Sequence, residues 1–421
     1  MSAPMARRER PDPVSPPVPD SFAFPFLGLT GGLIALATAV MAPLVPLGMA
    51  PALITLSVLS GGLLLWRRRR LPALPPSLVL PLLLFWLLGA VSIAWTPVPV
   101  SGLAQAITFL YEAVPALLLL GFLLDLPPAL ARSLTRIAVW GLGIGLALFA
   151  VETLADQPLY RLAKLLEGTL VAEERALNRP SVILALLLWP VAFILAARGK
   201  AAALALPAGY FLLTLATPSA SAVVGSAAGL LTLLAAWRWP LTTARLWMGV
   251  TILGFAASVP FGLWLAAVDP EILNRLPFSF AHRVGIWHFV AQRAAEHPWL
   301  GWGLDASRAI PEGGQILAGL ALDRQSLPLH PHNIFLQTRL ELGWIGAGLL
   351  AWFGVALLRW AARLDPGLRP FVLACYASAL TIACFAYGAW QTWWICAQLF
   401  TALLFTVAAR RAGSDKPLPR P

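Results

Sequence analysis

The stretch LHPHNIFLQTRLELGWIG, residues 329–346, sets two histidines around a proline, adds an asparagine, and carries Arg339 and Glu341 into an apolar run long enough to enter a membrane. Pro331 disfavours helix at His330, so a helix begins around His332 or Asn333. From there Asn333, Gln337 and Glu341 recur every four residues and share one face, while His332 and Arg339, seven apart, share another. Gly343 and Gly346 follow three apart, so a neighbouring helix can approach closely beneath this polar cap. A histidine held there, with an ordinary pKa of roughly 6.5, can take a proton from an attacking hydroxyl. On residue type alone it can equally cap the helix or meet interfacial water. A zinc site is a third reading, because His330 and His332 form an H-x-H pair and His282, His288 and His297 precede them. No carboxylate or cysteine completes a familiar ligand spacing, so no metal is expected.

Two arginines stand out upstream. Arg179, in EERALNRPS, stands where a polar connection turns into an apolar span, and Arg283 opens an amphipathic helix. A pair of guanidinium groups can bind phosphate oxygens bidentately and hold a pyrophosphate without a metal. The alternative is headgroup anchoring or pairing with Glu173 or Glu174. Arg161, Lys164, Arg175, Arg308 and Arg324 extend the same basic surface more weakly. Glu112 and Glu152 fall inside apolar spans, where a carboxylate is costly and points to function or an ion pair.

These groups need a scaffold, and composition states which kind. Of 421 residues 59% are hydrophobic and only 12% charged, with a mean hydropathy of +0.77. A soluble chain would carry about 25% charged residues. Twelve apolar spans are expected, at about 23–45, 48–66, 77–95, 106–124, 134–154, 180–197, 201–217, 221–237, 247–268, 336–358, 370–388 and 392–408. They are helical, since lipid leaves only helices or closed barrels and the runs lack strand alternation. Pro43, Pro46, Pro81, Pro115 and Pro190 predict kinks. The fold class is therefore an all-α polytopic membrane protein. Cys375, Cys384 and Cys396 lie in apolar spans as packing residues.

Charge orients the chain. The 30 basic residues outnumber the 19 acids, but they cluster between spans, at Arg67 to Arg70, Arg132/Arg136, Arg198/Lys200, Arg238/Arg245, Arg359/Arg363/Arg369 and the two termini. That is the positive-inside pattern, not a nucleic-acid surface. With twelve spans every dense cluster shares one side with both termini, which makes that side cytoplasmic. The polar, proline-rich residues 1–21 read as a disordered N-terminus without a cleavable signal, and 409–421 as a cytoplasmic tail. Residues 22–268 hold spans one to nine and 336–408 the last three; the long connections 155–179 and 269–335 fall on the outer face.

The larger connection carries its own structure. In HRVGIWHFVAQRAAEHP, Val284, Trp287, Val290/Ala291 and Ala294 recur at helical spacing with Gln292, Arg293 and Glu296 turned away, which predicts a helix along the membrane surface. LGWGLDASRAIPEGGQ then breaks regular structure. Trp390, Trp393 and Trp394 read as interfacial belt residues.

HNIFLQTRLELGWIG resembles the signature of the O-antigen ligase family: His, then Asn, Ser or Gln, nine residues, Gly, two residues, Gly. His332, Asn333, Gly343 and Gly346 complete it. RVGIWHFVAQRAAEHPWLGWG is similar to the family segment that ends in a Pro-x-x-Gly-x-Gly turn, and LNRPS to the family's arginine at the start of a mid-chain span. One departure is ATPSASAVVG, where Ala220 stands between Ser219 and Ser221 at a place where the family often has a Ser-Arg pair.

The resemblance implies a glycosyltransferase of the bacterial inner membrane that works at the periplasmic face in lipopolysaccharide biosynthesis. It would move a polyprenyl-pyrophosphate-linked glycan to a sugar hydroxyl of lipid A–core, without metal or cofactor. By the same resemblance His332 is the catalytic base and Arg283 and Arg179 contact the pyrophosphate, with Asn333, Arg339, Glu341 and His330 in support. Membrane lipids are the other expected partners. A polymerase that uses a second lipid-linked glycan as acceptor is the near rival. A secondary transporter or flippase is the distant one, and it expects ionisable groups at mid-membrane in two repeated halves.

Overall fold

A computed structural model describes residues 20–168, 176–268, 270–275, 278–316 and 325–411. Residues 1–19 of the expected disordered N-terminus, residues 412–421 of the tail, Glu173, Glu174, Arg175 and Arg324 lie outside these, while Asp20 and Ser21, expected to be disordered, begin the first helix, Asp20–Leu36.

Helix dominates, and among the described residues the only strand-like pairing is an isolated bridge between Ile316 and Gln325. Among the described residues ten helices are long and apolar enough to cross a membrane, from Ala23–Leu44 to Thr392–Arg411. Two shorter apolar helices, Lys200–Thr214 and Arg369–Phe385, coincide with the seventh and eleventh expected spans. The first span ends in a π-helical turn, Ala37–Met41, just before Pro43, whose missing N–H and bulky ring disrupt regular bonding.

Asn178–Arg198 and Thr392–Arg411 are the central helices, with most of their apolar windows buried. Small residues let others close around them. A side chain at Gly229 would run into Trp189 and the Ser378 hydroxyl, so Ala220–Arg238 crosses Arg369–Phe385 at close range.

The helix expected along the membrane surface is Phe278–Glu296, and its environment differs from expectation. Ile286, Trp287, Val290, Ala291 and Ala294 are buried against Val259, Leu265, Leu336 and Leu340, so its apolar face meets protein. Amphipathic spacing is the same whether the apolar stripe faces lipid or a neighbouring helix.

The helix that follows the histidines, Ile334–Ala361, is broken. Gly343 has φ +60° and ψ −155°, outside helical space and in a region that L-residues avoid. The turn Pro298–Gly303 repairs the break. The N–H groups of Trp302 and Gly303 donate to the carbonyls of Leu340 and Glu341 at 2.9 and 2.8 Å. Trp344 and Ile345 N–H donate back to Pro298 and Trp299 at 2.8 and 3.3 Å. A discontinuous helix buried in protein needs such substitutes, since an unpaired peptide group in an apolar setting is costly. The two glycines read as a helix-packing pair thus divide their work: Gly343 opens the helix to a loop.

Candidate active site

Asn333 begins the broken helix as its N-cap, its side chain accepting from the N–H groups of Phe335 and Leu336 at 3.0 and 3.1 Å. The face shared with Gln337 and Glu341 holds. The Glu341 carboxylate, fully buried, accepts from Gln337 Nε2 (3.0 Å), Ser307 Oγ (2.5 Å), the Asp305 N–H (2.7 Å) and Trp390 Nε1 (2.7 Å). Gln337 Oε1 accepts from the Ala389 N–H at 2.8 Å. One carboxylate therefore joins the broken helix, the 305–307 segment and the Phe385–Gln391 connection. Its role is to position.

The histidine turn sits on that frame. Trp287 Nε1 donates to the Pro331 carbonyl at 2.9 Å, and the His330 and His332 rings meet edge to face with centroids 4.3 Å apart. Gly388 leaves room for the His330 ring, which a side chain there would touch at 3.0 Å. His332 takes φ +56°, a left-handed conformation uncommon outside glycine and asparagine, and such strain clusters at functional sites. Among the described residues Nδ1 of each histidine lacks a hydrogen-bond partner.

Both rings are held neutral. Burial pushes His330 down to about 4, with help from the Arg308 charge. Burial, then His330, Arg283 and His282, push His332 down to about 3, against a backbone hydrogen bond at Ala386. The cation that bears on His332 is thus Arg283 from another helix. Arg339, expected beside it, stacks instead over Trp344, 3.4 Å from the ring centroid.

Of two openings in this region, one is lined by His330 and the other by Arg283, and His332 lines neither. A cavity of about 330 Å³ is lined by Arg179, Arg308, His330, Gln337, Trp390 and Gln391, among others. A smaller groove is lined by Arg283, Phe280, Phe385, Val224, Ala220 and Ser221. The Phe385–Gln391 connection runs between them, and both Arg179 and Arg283 act electrostatically on Tyr387 in its middle. The two arginines therefore lie in one region but line separate openings. Arg283 Nη1 donates to the Ser279 carbonyl and hydroxyl at 3.0 and 3.2 Å, which aims its guanidinium. The Ala220 departure falls in Arg283's own groove.

Trp390, Trp393 and Trp394, read as belt residues, are 8%, 5% and 2% exposed, and the first two line the cavity. Glu152 caps the short helix Pro158–Leu166 by accepting from the Leu159 and Tyr160 N–H groups. Glu112 is buried beside Thr392 and Cys396. Of the other histidines, His282, which acts on His332, meets the Gln325 carbonyl, while His288 meets the Gly262 carbonyl and His297 the Trp302 ring. Among the described residues no three His, Cys, Asp or Glu side chains are grouped to hold a metal ion. Arg308, Tyr387 and Gln391 have no motif that ranks them above other polar residues; only their convergence identifies them.

The geometry defines a polytopic helical membrane protein with a polar site built around a broken helix. Residues 183–351 match the family model described as O-Antigen ligase. The match takes in Arg283, the histidine turn and Gly343, while Arg179 and the Phe385–Gln391 connection lie outside it. Relatives provisionally named polysaccharide ligases include a Rickettsia conorii protein, 31% identical over 36% of this chain and 39% of its own length. A Rickettsia typhi protein is 29% identical over 56% of this chain and 59% of its own, and a Rickettsia felis protein 26% identical over 74% and 76%. The first two matches span less than two thirds of those relatives.

Proposed function

We propose that this protein is a ligase-type glycosyltransferase that moves a polyprenyl-pyrophosphate-linked glycan to a sugar hydroxyl of lipid A–core. The observation that carries the reading is His332: a neutral, strained imidazole whose Nδ1 is unengaged among the described residues, within electrostatic reach of Arg283, which lines an apolar groove. In the reaction Nδ1 takes the proton of the acceptor hydroxyl as its oxygen attacks the anomeric carbon. The anomeric carbon–oxygen bond to pyrophosphate breaks, and the leaving oxygen keeps the electron pair. Arg283, with Arg179 across Tyr387, stabilises that charge in place of a metal. The isoprenoid tail lies in the groove between Val224 and Phe385.

An imidazole titrating near 3 is by itself a weak base. Pyrophosphate against Arg283 offsets one of the charges that depress it, so donor binding itself raises the basicity of His332. The site faces the periplasm and both termini the cytoplasm in this reading, supported by the basic residues that end Pro46–Arg68, Asn178–Arg198, Ala220–Arg238 and Thr392–Arg411. The test is a purified system with lipid-linked glycan and lipid A–core. Glycan attached to the core sugar supports the ligase, whereas glycan extended on a second lipid-linked chain identifies a polymerase.

A further inference from the structure

We propose that the cavity beside His330 is a subsite for an acidic group, phosphate or carboxylate, on the acceptor saccharide, bound by Arg308 and by the His330 Nδ1–H. This rests on the glycosyl-transfer reading and adds the chemical class of its acceptor.

The tautomer of His330 follows from a chain of hydrogen bonds. Trp393 Nε1, which can only donate, donates to Gln391 Oε1 at 3.0 Å and so fixes which end of that amide is nitrogen. Gln391 Nε2 then donates to His330 Nε2 at 3.3 Å. A neutral imidazole that accepts at Nε2 carries its proton on Nδ1. That Nδ1–H has no partner among the described residues, on a side chain only 8% exposed that lines the cavity. A buried donor left unpaired is costly; the atom itself is enclosed, so an acceptor reaches it by a turn of the His330 ring toward the cavity.

Arg308 supplies the charge. Its Nε edge faces Asp305 at 3.7 Å, too far for a hydrogen bond, and Asp305 already accepts from Ser101 through its other oxygen. The two terminal amino groups of Arg308 make no hydrogen bond among the described residues, which leaves the fork that grips an oxyanion. Asp305 offsets one of the two arginines that line the cavity, so with His330 neutral the balance is positive. Gln105 and Trp390 complete the wall, the Gln105 Nε2 donating to the Trp390 carbonyl at 3.3 Å. The pyrophosphate has its own cation in the other opening, at Arg283. Arg179, which the transfer reading gives to the pyrophosphate, lines this cavity as well, so Arg308 and His330 are the groups left for an anion on the acceptor.

The experiment measures binding to the purified full chain by calorimetry without donor. The probes are a phosphorylated core oligosaccharide and its phosphatase-treated form, then a uronic-acid oligosaccharide and its carboxyl-reduced form. One charge-assisted contact corresponds to a preference for the acidic member of roughly 10- to 100-fold. Arg308→Gln should reduce that preference to about threefold or less while the donor KM stays within about twofold, on the same scale. Whichever pair shows the preference names the acidic group. Equal binding of acidic and neutral members overturns the subsite, as does a preference that survives Arg308→Gln. A preference lost in Arg283→Lys but kept in Arg308→Gln moves the anion to the other groove and also overturns it. Selective binding without glycan transfer supports the subsite and defeats the transfer reading alone.

Discussion

The Gly303 N–H donates to the Glu341 carbonyl at 2.8 Å, so a loop residue completes a hydrogen bond that the broken helix abandons at Gly343. The same Glu341 gathers four donors on its side chain. Backbone and side chain of one residue thereby fix both the turn below the histidines and the wall of the cavity.

Gly343→Ala should be severely destabilising. Its Cβ would lie 2.3 Å from the Trp299 carbonyl carbon, at a backbone conformation open almost only to glycine. Strain of this kind costs about 1–3 kcal/mol before the clash is counted. Gly348→Ala, in the same helix and with nothing within 4 Å of its Cβ, should be neutral or slightly stabilising. Thermal unfolding of the two variants in detergent makes the comparison.

Glu341→Gln should also be damaging although it is isosteric. An amide nitrogen would replace an oxygen that accepts two hydrogen bonds and would face donors with a donor. Each buried group left unsatisfied costs about 1–3 kcal/mol, so a loss of several is expected. Ser307→Ala removes a single donor and should lose about 1 kcal/mol. Equal stability of Glu341→Gln and wild type, read from the same melts, would contradict the positioning role.

Stability should fall on acidification through the histidines. His330 and His332 titrate near 4 and 3 in the fold against an ordinary 6.5. Below about pH 6.5 the unfolded chain therefore binds protons that the folded chain refuses, so the contribution of the neutral rings is full above that pH and is lost as pH falls toward 4 and 3. Melting temperature should drop between about pH 7 and pH 5 in wild type, and less in a His330→Gln, His332→Gln double variant. A drop of the same size in both would assign the acid sensitivity to other groups.

Arg283→Lys keeps the charge and loses the fork. If the guanidinium stabilises departing pyrophosphate, turnover at saturating donor should fall about 30- to 1,000-fold, which corresponds to roughly 2–4 kcal/mol. Turnover unchanged from wild type would leave Arg283 as a headgroup anchor. Arg179→Lys should give the smaller loss, since Arg179 lines the other opening.

Much of the scaffold is legible in the sequence because hydropathy and charge are local properties. All twelve apolar spans reappear as helices, and the helix expected to begin near His332 starts at Ile334 behind its Asn333 cap. What periodicity cannot carry is the identity of the partner. Trp287 has the spacing of an interfacial residue but anchors Pro331, and Trp390 resembles a belt residue but binds Glu341. Gly343 looks like a packing glycine because the hydrogen bonds that replace its helical ones come from a turn distant in sequence. Arg179 and Arg283 are each prominent by residue type, yet which opening each one serves depends on the Phe385–Gln391 connection between them.

The most direct test of the account is glycan transfer by His332→Ala in the purified system, with donor binding measured alongside. The account predicts a variant that folds, inserts and binds the lipid-linked donor like wild type, because the pyrophosphate is held by arginines. Its transfer to lipid A–core should fall by at least about 100-fold, the low end for loss of a general base. Transfer at the wild-type rate by His332→Ala would contradict the assignment of His332 as the base and, with it, the mechanism built around the histidine turn.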